Sequence, residues 1–323
     1  MNAEWKQRPE GGGRFAIWLI RGIAQYGGRL ISRLFLYPIT AYFVLVRGPE
    51  RRASRAFLSR LQGRPANLWQ VARHIHSFAL TILDRVFMLS GQFHRFDIRL
   101  HGIDQLHAAM DEGRGALLFG SHHGSFEALR VLSRERADAT VRVVMDPGQN
   151  AAVTQLLNEL CPKIAATVID ARQDGAQIAL AIGEATEAGA LVGLLVDRAR
   201  PGEPMQRVPF LGAPAPFPSA PWLIASALKV PVILCFGLYR GGRRYDLHFE
   251  TFEWQISVPR RERATALLAL QARYAERLEH YVRLAPLNWF NFYDFWNAQA
   301  DHQAAADPAG PAGSAVGQRP AGS

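Results

Sequence analysis

His122 and Glu127 are the two residues whose types and spacing point most directly to chemistry. They stand in Gly120-Ser-His-His-Gly-Ser-Phe-Glu127, between an apolar run, Gly115 to Phe119, and a helical pattern from Phe126 to Arg134. The stretch reads as a strand, a turn and the first turn of a helix. Strand ends of this kind are where α/β folds place ligands and reacting groups. With His122 in the turn and Glu127 in the first helical turn, the chain folds back and the two side chains can meet. A carboxylate bonded to one imidazole nitrogen fixes the tautomer and stabilises the imidazolium, which leaves the other nitrogen as a general base near neutral pH. Gly124 keeps the turn free of bulk and Ser125 is placed to cap the helix. The spacing alone is weak, because a His/Glu pair taken at random is more often structural than functional.

A second candidate lies at the end of another apolar run, in Val196-Asp197-Arg198. Arg198 suits a bidentate contact to an anionic part of a substrate or donor, with Asp197 beside it, although a loop ion pair satisfies the same residues. No metal site is expected. His74 and His76 are two apart on a helix, whereas helical ligand pairs want i and i+4. A hydrolase built on a metal held by His122, His123 and Glu127 is a minor alternative, since adjacent histidines rarely converge on one ion. Ser125 lacks the Gly-x-Ser-x-Gly elbow of a serine nucleophile.

The elements that must position these residues alternate. Strands are expected at Phe96–Leu100, 115–119, Val141–Met145, Ala166–Asp170, Gly189–Val196, Pro231–Tyr239 and Tyr245–Glu250, the last two joined by Gly241-Gly242. Helices are expected at 67–90, Ile103–Glu112, 151–160, Gly175–Glu187 and Arg260–Leu284. This is an α/β class, a mostly parallel central sheet flanked by helices. The proline-dense stretch 208–222 reads as a rigid loop or the rim of a groove. Residues 287–296 carry six aromatics in ten positions, either a cap on the core or a wall for an acyl chain.

Of the net charge of +9, residues 1–60 hold +8, from eleven basic and three acidic side chains, so the positive charge is a local feature directed at an anionic surface. Arg14, Arg21, Arg29 and Arg33 share one face of a helical pattern from Arg14 to Leu34, with Trp18 among the apolar residues around them. Thirteen uncharged residues from Leu34 to Val46 follow, including Phe35 and broken by Pro38. That is short of the roughly 20 residues of a comfortable span. No A-x-A-type cleavage site is in place, so a signal peptide is not expected. The reading is an interfacial or shallowly inserted membrane-associating segment, 14–60, on anionic lipid, with Arg14, Trp18, Arg21, Arg29, Arg33 and Phe35 as contacts. A nucleic-acid arm is rarely this apolar. The α/β domain is expected over 61–300, with residues 1–13 and the Ala/Gly/Pro-rich 304–323 disordered. A mean hydropathy of −0.05 excludes a polytopic membrane protein, and two cysteines, Cys161 and Cys235, make no disulfide framework.

The segment Leu117 to Glu127 resembles the His-x4-Asp/Glu block of the glycerolipid acyltransferase superfamily, and within it most nearly the lipid A biosynthesis acyltransferase family. That family reads as an apolar strand, a small residue, His, any residue, Gly, two residues and Glu. Ser121, His122, Gly124 and Glu127 fill those places, and His123 stands where an apolar residue is usual. The Asp197-Arg198 strand end resembles the superfamily's acceptor- or phosphate-binding block. Beyond the second strand the family usually carries Tyr-Arg followed by Asn; here Asn150 fits and the Arg is missing. The aromatic ending resembles a divergent branch tied to aryl-polyene and xanthomonadin-like pigment clusters. The resemblance spans roughly residues 14–296.

It implies a membrane-associated O-acyltransferase at the cytoplasmic face of a bacterial inner membrane. His122 and Glu127 would be catalytic, and Arg198, Asp197, Ser125, Gly124 and Asn150 would bind substrate. No cofactor is expected. Acyl-acyl carrier protein or acyl-coenzyme A would be the co-substrate, and a lipid or glycolipid the acceptor. The alternatives are acylation of a polyketide or aryl-polyene-type lipid, and a non-catalytic membrane-binding scaffold in which His122→Ala changes nothing.

Overall fold

The computed structural model describes residues 14–111, 113–132, 140–147, 168–199 and 202–297, with the side chains of 14–27, 130 and 131 outside that set. The expected disorder at 1–13 and 304–323 and the expected helix at 151–160 fall outside the described residues.

Seven strands form one sheet: β1 (Asp97–His101), β2 (Ala116–Gly120), β3 (Val141–Met145), β4 (Val168–Asp170), β5 (Leu191–Leu195), β8 (Val232–Gly241) and β9 (Arg244–Glu253). Their order is β1-β9-β8-β2-β5-β3-β4. β8, β2, β5, β3 and β4 run parallel, while β9 turns back antiparallel to β8 and carries β1 parallel to itself. All five residues of β2 are buried. Leu117 and Phe119 enter one core, with Trp222 and Tyr274; Ala116 and Leu118 enter the other, with Leu83, Phe87 and Leu129. A strand covered on both faces needs apolar residues at every position, which is why this stretch does not alternate.

One layer is α3 (Leu68–Leu89), started by a capping box in which Asn67 accepts from the Gln70 backbone N–H and Gln70 accepts from the Asn67 backbone N–H. The other is α7 (Arg263–Leu284), with α6 (Ala220–Leu228) and α5 (Gly175–Glu187) beside it. The expected loop at 208–222 is corrected. Met205–Phe210 (β6) and Ala213–Pro218 (β7) pair as an antiparallel hairpin that leads into α6. Prolines survive there because the hairpin stands apart from the large sheet, where a missing N–H is tolerated.

The amino-terminal helix α1 (Arg14–Val46) bends at Gly28, whose φ of 69° breaks the helical run. The separate 34–46 run is corrected as well. The apolar helix starts at Gly28 and continues through Pro38 to Val46, 19 residues long and apolar enough to cross a membrane by length and composition. It is joined by α2 (Gly48–Gln62) and packs on α3. Arg29 is not a lipid contact. It is buried, its guanidinium held by both oxygens of buried Asp84 at 2.7 and 2.8 Å, and Tyr245 donates to the same carboxylate at 3.0 Å. A carboxylate taken out of water needs such a cation, and it draws Arg29 inward. Arg33 donates to the Gly242 carbonyl and reaches Tyr239. Phe35 remains exposed, with Leu30, Leu34, Tyr37 and Leu45. Arg14, Trp18 and Arg21 belong to α1, but their side chains fall outside the described residues. A short helix, α4 (Ile103–Asp111), links β1 to β2.

Candidate active site

The turn after β2 and the turn after β5 meet because their strands are neighbours in the sheet. The Gly120 carbonyl ties them, accepting from the Val196 N–H at 3.0 Å and from the Tyr274 hydroxyl at 2.9 Å. This sets Asp197 beside His122. Nδ1 of His122 lies 2.8 Å from Asp197 Oδ1, and the His122 backbone N–H is 3.1 Å from each carboxylate oxygen. The Trp289 indole N–H donates to Asp197 Oδ2 at 3.3 Å. Asp197 is fully buried, while the His122 side chain keeps 31% of its exposure.

The carboxylate expected to orient the imidazole is therefore not the one that does so. Glu127 lies in a 3-10 turn (Phe126–Val131) and forms an ion pair with Arg85 of α3 at 2.7 Å. Ser125 does not cap a helix; its hydroxyl donates to Glu127 Oε2 at 3.2 Å. The tight 3-10 winding turns Glu127 toward α3 and away from His122, and no bond joins the two among the described residues. Asp197 takes the place because the two strand ends lie side by side, 75 residues apart in sequence.

The turn is held by the carboxy-terminal aromatic segment. The Gly124 N–H donates to Asn288 O at 2.8 Å, and the Phe290 N–H to His122 O at 2.9 Å. His123 points inward, buried, with Nε2 donating to Ala285 O at 3.2 Å. Gly124 has φ 74°, and a Cβ there would lie 1.9 Å from the Gly237 carbonyl oxygen, so no side chain fits. Arg198 donates to the Phe290 carbonyl and lies over the Tyr293 ring, while its Nε is buried without a partner. Asn150 lies outside the described residues.

Burial pushes the His122 imidazole below its ordinary value, Arg198 pushes it the same way, and Asp197 pulls against both. Burial opposes charge on Asp197, but His122 and Arg198 outweigh it and lower the carboxyl to about 2. At neutral pH the pair is thus a carboxylate and a neutral imidazole. Nδ1 carries the proton toward Asp197, and the lone pair on Nε2 is free to accept one. Such an arrangement performs general-base chemistry on a hydroxyl.

A family model for bacterial lipid A biosynthesis acyltransferases matches residues 71–298, which contain every group just described. The chain belongs to this family. No curated protein matches it. Membership makes it a lipid acyltransferase, with an acyl donor and a lipid acceptor, and the family is typically membrane-associated. Two residues that contact this turn, through Asp197 and Glu127, were missed in the sequence. Trp289 sat in a segment where six aromatics looked alike. Arg85 sits on α3, and nothing local marks it as facing the site.

Proposed function

We propose that this acyltransferase moves a fatty acyl group from a thioester of acyl carrier protein or coenzyme A to a hydroxyl of a lipid or glycolipid. His122 is the general base and Asp197 the residue that positions it. The observation that carries the reading is the 2.8 Å contact between His122 Nδ1 and a fully buried carboxylate, with no hydrogen bond to Nε2 among the described residues. Nε2 removes the proton from the acceptor hydroxyl as its oxygen attacks the thioester carbonyl. The C–S bond then breaks, and the imidazolium gives the proton to the departing sulfur, so that a thiol leaves and the neutral imidazole is restored. Asp197 stabilises that imidazolium and fixes the tautomer. Arg198 sets a cation near the base, suited to an anionic group on donor or acceptor. The exposed apolar side of α1 (Leu30, Leu34, Phe35, Leu45) supports placement in the bilayer, at the cytoplasmic face of the inner membrane where such thioesters occur.

The test is transfer of a labelled acyl chain into membrane lipid, with acyl carrier protein and coenzyme A thioesters compared and the product identified by mass. An acylated lipid formed from one thioester supports the reading. Release of free fatty acid alone, with every acceptor lipid unlabelled, would make the site hydrolytic and overturn it.

A further inference from the structure

We infer that His101, Asp246 and His248 form a binding site for one divalent transition-metal ion on the outer edge of the sheet, apart from the His122 centre. β1 and β9 pair in parallel, so His101 lies directly opposite His248. Asp246 is two residues before His248 and shares its face. One ligand atom from each of the three lies within 4.8 Å of the others. The two imidazoles stack with centroids 4.5 Å apart and an interplanar angle of 10°. Nε2 of His248 is buried and makes no hydrogen bond, a polar atom a metal would satisfy.

The donor set identifies the class of ion. Two imidazoles and one carboxylate suit zinc, copper or nickel, whereas calcium and magnesium want oxygen donors. Asp246 already accepts from Arg244, at 2.8 and 3.0 Å, and is paired with Arg240 at 3.4 Å. A carboxylate offers about four lone-pair sites, so one remains open. The arginines reduce its effective charge, which leaves the imidazoles dominant and favours nitrogen-seeking ions further. His248 is half-buried, with the His101 ring stacked on it. Tyr281 of α7 is the other group against it. Since ligands must be unprotonated, binding weakens in acid. β1 is an edge strand that pairs only with β9 among the described residues. An ion bound across the two strands would tie that edge down and raise the unfolding temperature by mass action.

The test uses the full chain, freed of any affinity tag, stripped with a chelator and then titrated with zinc, copper or magnesium chloride. Metal content after desalting and thermal unfolding are both read. About one zinc per chain, a rise in unfolding temperature, and no response to magnesium are expected. His101→Ala, at an exposed position, should keep the fold and weaken zinc binding about tenfold or more; His248→Ala should do the same. No retained zinc, or equal retention in both variants and the unaltered chain, would overturn the site.

Discussion

Replacing Asp197 with Asn keeps the shape of the side chain and removes its charge. Every group around Asp197 is a donor: Nδ1–H and the backbone N–H of His122, and the indole N–H of Trp289. An amide offers one accepting oxygen, and its NH2 must face a donor. The variant therefore either loses the tautomer that leaves Nε2 free or abandons Trp289. An unmet buried group costs about 1–3 kcal/mol of stability. Loss of base orientation costs about a hundredfold to ten-thousandfold in turnover. The sign of the pH effect follows as well. Asp197 raises the His122 pKa, while burial and Arg198 lower it. Without Asp197 only the lowering causes remain, so the acid limb of the rate profile moves to lower pH. Glu127→Gln should move that limb far less, because Glu127 acts only through its partner Arg85, the smallest of the influences on His122. The assay is acyl transfer from a labelled thioester across pH 5–9 (a range of about four units, chosen to bracket His titration), with circular dichroism confirming the fold. If Asp197→Asn stays within about threefold with an unmoved limb while Glu127→Gln falls more than about a hundredfold, then Glu127 orients the base in turnover and the assignment is wrong.

Gly124→Ala should lower turnover about tenfold or more and lower the melting temperature, because its Cβ would drive the turn off Gly237; unchanged kinetics would show that the turn can shift freely. Arg29→Met should destabilise by about 3–5 kcal/mol by stranding the buried Asp84 carboxylate, and adding Asp84→Leu should recover much of it, both read by chemical denaturation. Acid should destabilise the protein through its buried histidines. Burial lowers His74 to about 4 and His123 to about 3, with a backbone carbonyl opposing each. The unfolded chain then binds more protons below its ordinary histidine value. Stability is thus full above about pH 6.5 and falls as pH drops toward 4, by about 2 kcal/mol for each histidine at pH 5. A urea midpoint that is equal at pH 7 and pH 5 would contradict this.

The sheet was legible because its strands are short apolar runs between turn residues, and the seven expected runs became the seven strands. The β6–β7 hairpin was not, because Pro209, Pro214, Pro216 and Pro218 argue locally against pairing, and only the tertiary placement of a separate ribbon permits it. His122 was legible from its strand-end turn. Its partner was not, because local spacing favours Glu127, five residues on, over Asp197, 75 residues on. The signal that existed was topological: two strands ending in titratable residues become informative once those strands are known to be neighbours. Arg29 misled for the opposite reason. Helical periodicity placed it on a basic face, but a buried carboxylate on another helix decides where it points.

The most direct measurement is acyl transfer by the full chain in membranes, unaltered against His122→Ala, from one labelled thioester with membrane association checked in parallel. A loss of labelled lipid of about a hundredfold or more, with both proteins equally membrane-bound, is what a general base at His122 predicts. Equal labelling by the two proteins would contradict it and leave the His122–Asp197 pair as a structural contact.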